Sequence, residues 1–185
     1  MKRIIVGLSG ASGIPLAMKL LEQLRKYNCE IHLVVSNGAL MTLGYESNKT
    51  VDDLKKMCDY YYDNDFIGAS IASGTFKNEG MIIIPCSMKT VAGIAHGYSD
   101  SLILRAADVM IKEKRKLVLV TRESPLSSIH LDNLAYLSKI ANITILPPMM
   151  TYYNQPKTIE DMENHIVGKI LNVFDIEMKE FKRWK

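Results

Sequence analysis

Apolar and polar positions fall into alternating blocks along this chain. Short, nearly unbroken apolar runs predict buried parallel strands at residues 3–8, 30–35, 81–85, 116–120 and 143–146, with a further short one near Phe66–Ala72. Between them, apolar residues recur at helical spacing and predict helices at 14–27, 37–43, 51–59, 87–95, 100–114, 127–140 and 158–173. Strands joined by helical crossovers of this length give a parallel sheet covered on both faces. The predicted fold is therefore α/β: a single-domain, Rossmann- or flavodoxin-like three-layer sandwich with a mainly parallel sheet, spanning residues 1–185. Two segments break the alternation. Tyr60-Tyr61-Tyr62-Asp63-Asn64-Asp65 is polar and aromatic and reads as a surface loop or subunit contact. Pro147–Pro156 is a proline-bounded loop directly after a strand, placed to serve as a rigid lid or to pack against another subunit.

In such sheets ligands bind beyond the carboxyl ends of the strands. The residues there are Gly10–Gly13, Ser36, Pro85–Thr90, Thr121-Arg122-Glu123 and Pro147–Tyr153. The run Gly7-Leu8-Ser9-Gly10-Ala11-Ser12-Gly13 lies between the first strand and the first helix. Strand, glycine-rich turn and helix together bring main-chain N–H groups and a helix N-terminus against a phosphate, and Ser12 adds a hydroxyl. A dinucleotide site wants an acidic residue near the end of the second strand, about 20 residues on. Here that strand ends in Ser36-Asn37-Gly38, which favours a mononucleotide over NAD.

Composition narrows the choice further. The chain has 185 residues, enough for one sound core, and a formal net charge of +3, too small to point to nucleic acid. Basic residues are scattered apart from 112–116 and the tail Lys182-Arg183-Trp184-Lys185, and such runs are usually solvated faces. Cys29, Cys58 and Cys86 are odd in number and widely spaced, with neither a disulfide framework nor zinc spacing. The eleven methionines read chiefly as adaptable packing. No stretch approaches the ~18 consecutive apolar residues that span a bilayer, and Met1-Lys2-Arg3 leads straight into a strand. The expectation is a cytoplasmic protein with reduced thiols, no membrane and no nucleic acid.

Two further turns share the rim with the first. Pro85-Cys86-Ser87-Met88-Lys89-Thr90 follows a strand and opens a helix, with hydroxyls at Ser87 and Thr90 in capping positions. Two such turns on one sheet edge favour an anion- or flavin-contacting role over simple capping. Arg122, at the end of the strand before Ser124-Pro125, sits where a phosphate or flavin would lie. Arg105 and Lys112 are seven residues apart and so lie on roughly one helix face. Apolar neighbours Leu104, Ala106 and Ala107 favour an inward role for Arg105. No Ser-His-Asp spacing is present, and His130 and His165 read as isolated polar residues on helices.

These motifs carry a resemblance. Gly10-Ala11-Ser12-Gly13, Ser73-Gly74-Thr75-Phe76, Gly80–Thr90, Leu104–Val109, Lys112–Leu126, His130-Leu131-Asp132-Asn133 and Leu146-Pro147-Pro148-Met149 together resemble the UbiX/Pad-like flavin prenyltransferases, formerly described as hydroxyarylic acid decarboxylase subunits. The C-terminal Arg183-Trp184 is also similar to that family. The resemblance implies a metal-independent enzyme that joins the dimethylallyl group of dimethylallyl monophosphate to reduced FMN, at N5 and C6. The product is prenylated FMN for a UbiD-type decarboxylase. It also implies a homo-oligomer, typically a dodecamer, with sites at subunit interfaces.

Carried over residue by residue, the resemblance places Gly10, Ala11, Ser12, Ser36, Ser87, Met88, Lys89, Thr90 and Arg122 at FMN. It places Glu46, Lys112, Arg122, Glu123, Tyr153 and Lys169 around the prenyl phosphate, with Ser12, Glu46, Glu123 and Lys112 as catalytic groups. Arg105 and Trp184 would complete the site from a neighbour, the tail from about residue 174 being the contacting segment. The residue types suit the chemistry. Cleavage of an allylic C–O bond leaves charge on the phosphate, which Lys and Arg stabilise. Aromatic faces favour a cation-like allyl fragment, and loss of a flavin proton calls for a base such as Glu123 or the released phosphate. Two departures stand out. Lys169 replaces an arginine, keeping the charge but losing the bidentate fork, and Met150-Thr151-Tyr152-Tyr153 replaces a Pro-Ala-Phe-Tyr-like loop. Related cysteine decarboxylases carry Pro-Ala-Ser-Ala-Asn-Thr where this chain has Pro85-Cys86-Ser87-Met88-Lys89-Thr90, which ranks that activity low. A non-catalytic FMN-binding subunit is the other alternative.

Overall fold

Alternation at period two sorts the strand residues into two cores. The computed structural model describes residues 1–184. The elements run β1 (Arg3–Leu8), α1 (Ile14–Lys26), β2 (Glu30–Val35), α2 (Asn37–Glu46), α3 (Val51–Lys56), β3 (Tyr60–Asp63), β4 (Gly80–Cys86), α4 (Met88–Ala95), α5 (Leu102–Lys112), β5 (Lys116–Thr121), α6 (Ser128–Leu137), β6 (Ile143–Ile145) and α7 (Ile159–Val173). One face of the strands presents Ile4, Val6, Leu8, Ile82, Ile84, Val118 and Val120 to α1 and α7. The other presents Ile5, Met81, Ile83, Leu117 and Leu119 to α4 and α5. Burial on both faces explains why these strands read as continuous apolar runs.

All six strands are parallel, in the order β3-β2-β1-β4-β5-β6. The chain starts in the middle, winds outward to β3, then returns to build the other half. The order therefore reverses between β1 and β4, which opens a crevice above their carboxyl ends. The helix starts have a local cause. Ser36, Thr50, Ser87, Ser127 and Thr158 are N-caps whose side-chain oxygens accept the N–H three residues on.

Two expectations are corrected. No strand forms over Phe66–Ala72, which is irregular and ends in a one-turn 3-10 helix, Ser70–Ala72. The tyrosine segment, expected as a loop, supplies edge strand β3. Its stability comes from side chains rather than from an apolar run. The Tyr60 ring stacks on buried His32 at 4.6 Å, and the Tyr62 hydroxyl lies 2.8 Å from His32 Nδ1. The expected helix 37–43 extends to Glu46, and those three extra residues matter for the site.

The tail folds along α7 of its own chain. The Lys179 N–H donates to the Tyr27 hydroxyl at 2.9 Å, Phe181 packs 5.2 Å from the His165 ring, and Trp184 stands edge-on to Tyr153 at 4.9 Å.

Candidate active site at the sheet switch point

The turns after β1 and β4 are tied directly to each other. Ser9, buried, donates its hydroxyl to the Pro85 carbonyl at 2.9 Å and accepts the Ser87 N–H at 2.8 Å. Its own N–H also donates to Pro85 O at 3.1 Å. The next contact is made by glycines. A Cβ on Gly10 would stand 3.0 Å from Gly38 Cα, so the turn after β1 touches the start of α2 only because neither residue has a side chain. These contacts set a floor from which three helices start.

Above that floor lies a cavity of about 650 Å³. Gly10, Ser36 and Ser87 line it, with Met88, Lys89 and Thr90 from the first turn of α4. Glu123, from the turn after β5, completes the set of expected residues that the fold brings there. Ser36 and Ser87 accept only one N–H each, from Ala39 at 3.2 Å and Thr90 at 3.3 Å. The remaining free N–H groups of α2 and α4, and the positive ends of both helices, sit at the cavity wall. A third helix start, that of α5, borders it through Ser101. Its own N-cap side chain makes no capping bond. Instead, Asn64 from the loop after β3 accepts the Leu102 N–H at 2.7 Å through its carbonyl, and its side-chain oxygen accepts the Ile103 N–H at 3.1 Å.

The glycine-rich corner itself behaves differently from the expectation. Gly13, at φ 131°, starts α1 with no cap of its own. Glu46, carried over by the longer α2, caps it from outside: its Oε2 accepts the Gly13 N–H at 2.9 Å and the Ile14 N–H at 2.8 Å. Partial burial pushes this carboxyl up. The Ser12 hydroxyl, the two amides and the nearby Arg122 charge outweigh that and hold it below the usual carboxylate range. The α1 N-terminus thus already holds an anion, while the starts of α2 and α4 stay open to the cavity. Ser12 and Arg122 both act on the Glu46 carboxylate, and the Arg122 N–H is anchored on Cys86 O at 3.2 Å, next to the cavity-lining Glu123.

Tyr153 and Lys169 lie in a second group, on the loop after β6 and on α7. The Tyr153 hydroxyl is 3.2 Å from Nε2 of buried His165, and the ring borders a separate cavity of about 500 Å³ with Lys182, Arg183 and Trp184. Lys169 is exposed, one helical turn from His165. Burial, with a smaller contribution from the Lys169 charge, pushes the His165 imidazole below its usual value.

Two more expected residues join neither group. Arg105 does not point inward; it is half-exposed and pairs with Asp108 at 2.7 Å. Lys112 ends α5 and pairs with Glu113 beside Gly74. Because α5 runs back from the carboxyl rim, its 11 residues carry Lys112 about 16 Å to the opposite rim. The spacing was right about a shared face, but that face turns away from the sheet. Conversely, Ser9, Asn64 and His130 line the cavity, although Ser9 and His130 were named only as parts of longer motifs and Asn64 only as part of an expected surface loop. Serine and asparagine caps from distant loops leave no periodic signal.

The cavity fits a flavin mononucleotide on its own features. Its volume lies within the ~300–1,000 Å³ usual for cofactor sites, and its wall offers amides, hydroxyls, helix N-termini and Lys89 to an anionic tail.

The comparisons agree with that geometry. The Flavoprotein family matches residues 1–175. The flavin prenyltransferase LpdB of Lactiplantibacillus plantarum is 50% identical over 100% of this chain and 99% of its own. A dodecameric FMN-dependent UbiX-like decarboxylase from Escherichia coli O157:H7 superposes with TM-score 0.96 at 46% identity, over 99% of both chains. AnUbiX (PadA1), solved with FMN and dimethylallyl pyrophosphate, superposes with TM-score 0.97 at 42% identity, over 100% of this chain and 97% of its own. A parallel sheet with a mononucleotide-sized cavity at its switch point, and likeness of this extent, lead to one conclusion: the chain belongs to the Flavoprotein family, among the UbiX-like flavin prenyltransferases.

Proposed function

We propose that this chain transfers the dimethylallyl group of dimethylallyl monophosphate to reduced FMN, at N5 and C6. The observation that carries the reading is the mononucleotide-sized cavity at the β1/β4 switch point, with Ser36, Ser87, Lys89 and Thr90 at its wall. Bound reduced FMN would supply the nucleophilic ring that accepts the allyl group. The chain's own residues do the rest. Ser36, Ser87, Lys89 and Thr90 hold and orient the mononucleotide. Glu46 stays ionised while holding the Ser12 hydroxyl, so Ser12 presents an oxygen lone pair outward and can pass a proton along the same hydrogen bond. Arg122 offers a fixed charge to the departing phosphate. Glu123, exposed at the cavity mouth, is placed to accept a proton released from the flavin ring.

The remaining roles extend this reading. Tyr153 and Lys169 would hold the prenyl phosphate from the loop after β6. Arg105 and Lys112, facing away from their own cavity, would serve only the site of another subunit. That favours a homo-oligomer, probed against the dodecamer of the E. coli relative. We take residues 1–185 as one flavoprotein domain whose tail, from about residue 174, meets a neighbouring subunit; Trp184, 75% exposed, supports that role. Three widely separated free cysteines suit the reducing cytoplasm. A UbiD-type aromatic acid decarboxylase would consume the product.

The test is anaerobic incubation with reduced FMN and dimethylallyl monophosphate or pyrophosphate, read by flavin mass. The expected result is a flavin heavier by one dimethylallyl group with the monophosphate. An unaltered flavin mass with both donors, beside a working control enzyme, overturns the reading.

A further inference from the structure

We infer that His130 is a flavin-binding residue held in one tautomer, donating its Nε2–H to an acceptor atom of the flavin ring system; this rests on the FMN reading above. His130 opens the third position of α6 and lines the switch-point cavity beside Glu123. Its Nδ1 accepts the Ser127 N–H at 3.2 Å, while the Ser127 hydroxyl accepts the His130 N–H at 3.3 Å, a reciprocal capping box. An amide N–H can only donate, so Nδ1 must carry a lone pair. In neutral imidazole the proton then sits on Nε2. That nitrogen makes no hydrogen bond among the described residues.

The capping box thus does two things at once. It starts α6, and it leaves a donor of fixed polarity on a residue that lines the cavity. The other two capping boxes of this chain use Asp53 and Asp161 at the same position, where a carboxylate caps equally well. Capping alone therefore did not require an imidazole here. The other groups lining the cavity decide which part of the mononucleotide His130 meets. The FMN phosphate has the starts of α2 and α4 and the Lys89 cation in the same cavity, a better match for its charge than a neutral imidazole N–H. The neutral, acceptor-bearing ring edge is left for His130.

Two neutral variants separate the roles. In His130→Asn the side-chain oxygen still caps Ser127, as Asp53 and Asp161 cap their helices, but the amide stops short of the Nε2 position. In His130→Gln the oxygen caps and the amide nitrogen reaches it. The readouts are FMN and riboflavin affinity by fluorescence titration and the thermal midpoint of the apoprotein. Loss of one neutral hydrogen bond is expected to weaken both flavins about fivefold in His130→Asn, with the midpoint within about 2–4 °C of wild type. His130→Gln restores both affinities. Wild-type affinity for both flavins in His130→Asn overturns the inference, and a loss confined to FMN overturns the assignment to the ring. If wild-type protein binds neither flavin, the FMN reading itself fails; binding by wild type with no change in His130→Asn sinks His130 alone.

Discussion

The corners after β1 and β4 begin alike, with a strand end, a serine and a helix start, yet they use their helix dipoles differently. At β1 the helix lacks a cap of its own, and the Glu46 carboxylate fills the position from α2. At β4, Ser87 caps its own helix through a single bond to Thr90, and the other N–H groups of the first turn remain open to the cavity. One corner is an internal ion site, and the other keeps its helix start open. The glycine-rich sequence looks like the better phosphate cradle, but the start left open is that of the plainer turn. An N-terminus attracts whichever anion arrives first, and one supplied by the fold itself has no association entropy to overcome.

Glu46→Gln breaks this comparison most strongly. The amide still accepts the Gly13 and Ile14 N–H groups, so the fold survives, but the charge that holds Ser12 is lost. Turnover is expected to drop by about 10²-fold or more while FMN affinity holds, as measured by single-turnover kinetics and fluorescence titration. Unchanged turnover removes Glu46 from the proton path. The same residue has a pH signature. Its folded pKa lies below the unfolded value near ~4.3, so its contribution to stability is full above that value and lost as pH falls through the folded pKa. The difference in melting temperature between wild type and Glu46→Gln should be constant near neutrality and vanish in acid. A difference that grows on acidification contradicts the capping role.

Ser9→Ala tests the tie between the corners. It strips the half-buried Ser87 N–H of its acceptor and removes one of the two donors on Pro85 O. A cost of about 1–3 kcal/mol is expected, visible in chemical denaturation, together with weaker FMN binding as the two turns slip. A variant as stable as wild type shows that the turns are set by the sheet alone. The smallest effect belongs to Lys169→Arg. A planar fork in place of a point charge should lower KM for the prenyl phosphate by about two- to fivefold without touching FMN affinity. A raised KM places Lys169 away from that phosphate.

Much of the site was legible from the residues because its parts are local. The apolar runs located five of the six strands, and the caps at Ser36 and Ser87 are readable wherever a serine precedes a helical pattern. The illegible parts are those where the signal sits on a distant element. β3 lacks apolar alternation because its tyrosines stack on His32, a buried polar residue of the neighbouring strand. Periodicity put Arg105 and Lys112 on one face but could not say that the face looks outward, since it is Ile103 and Ala107, on the opposite side, that pack into the core. His130 belonged to a recognisable motif but gave no sign of a place in the cavity, because that depends on where its capping box sits in the fold.

By itself the sequence determined the α/β class, the parallel strands and the rim on which ligands gather, because strand and helix periods and N-cap chemistry act within a few residues. Only the tertiary structure decided the strand order that opens the crevice between β1 and β4, the capture of the first helix N-terminus by Glu46, and the outward turn of α5. Each of these depends on which elements meet across the sheet. A hydrogen bond such as Gly13 to Glu46 joins residues 33 positions apart, beyond the reach of any local pattern.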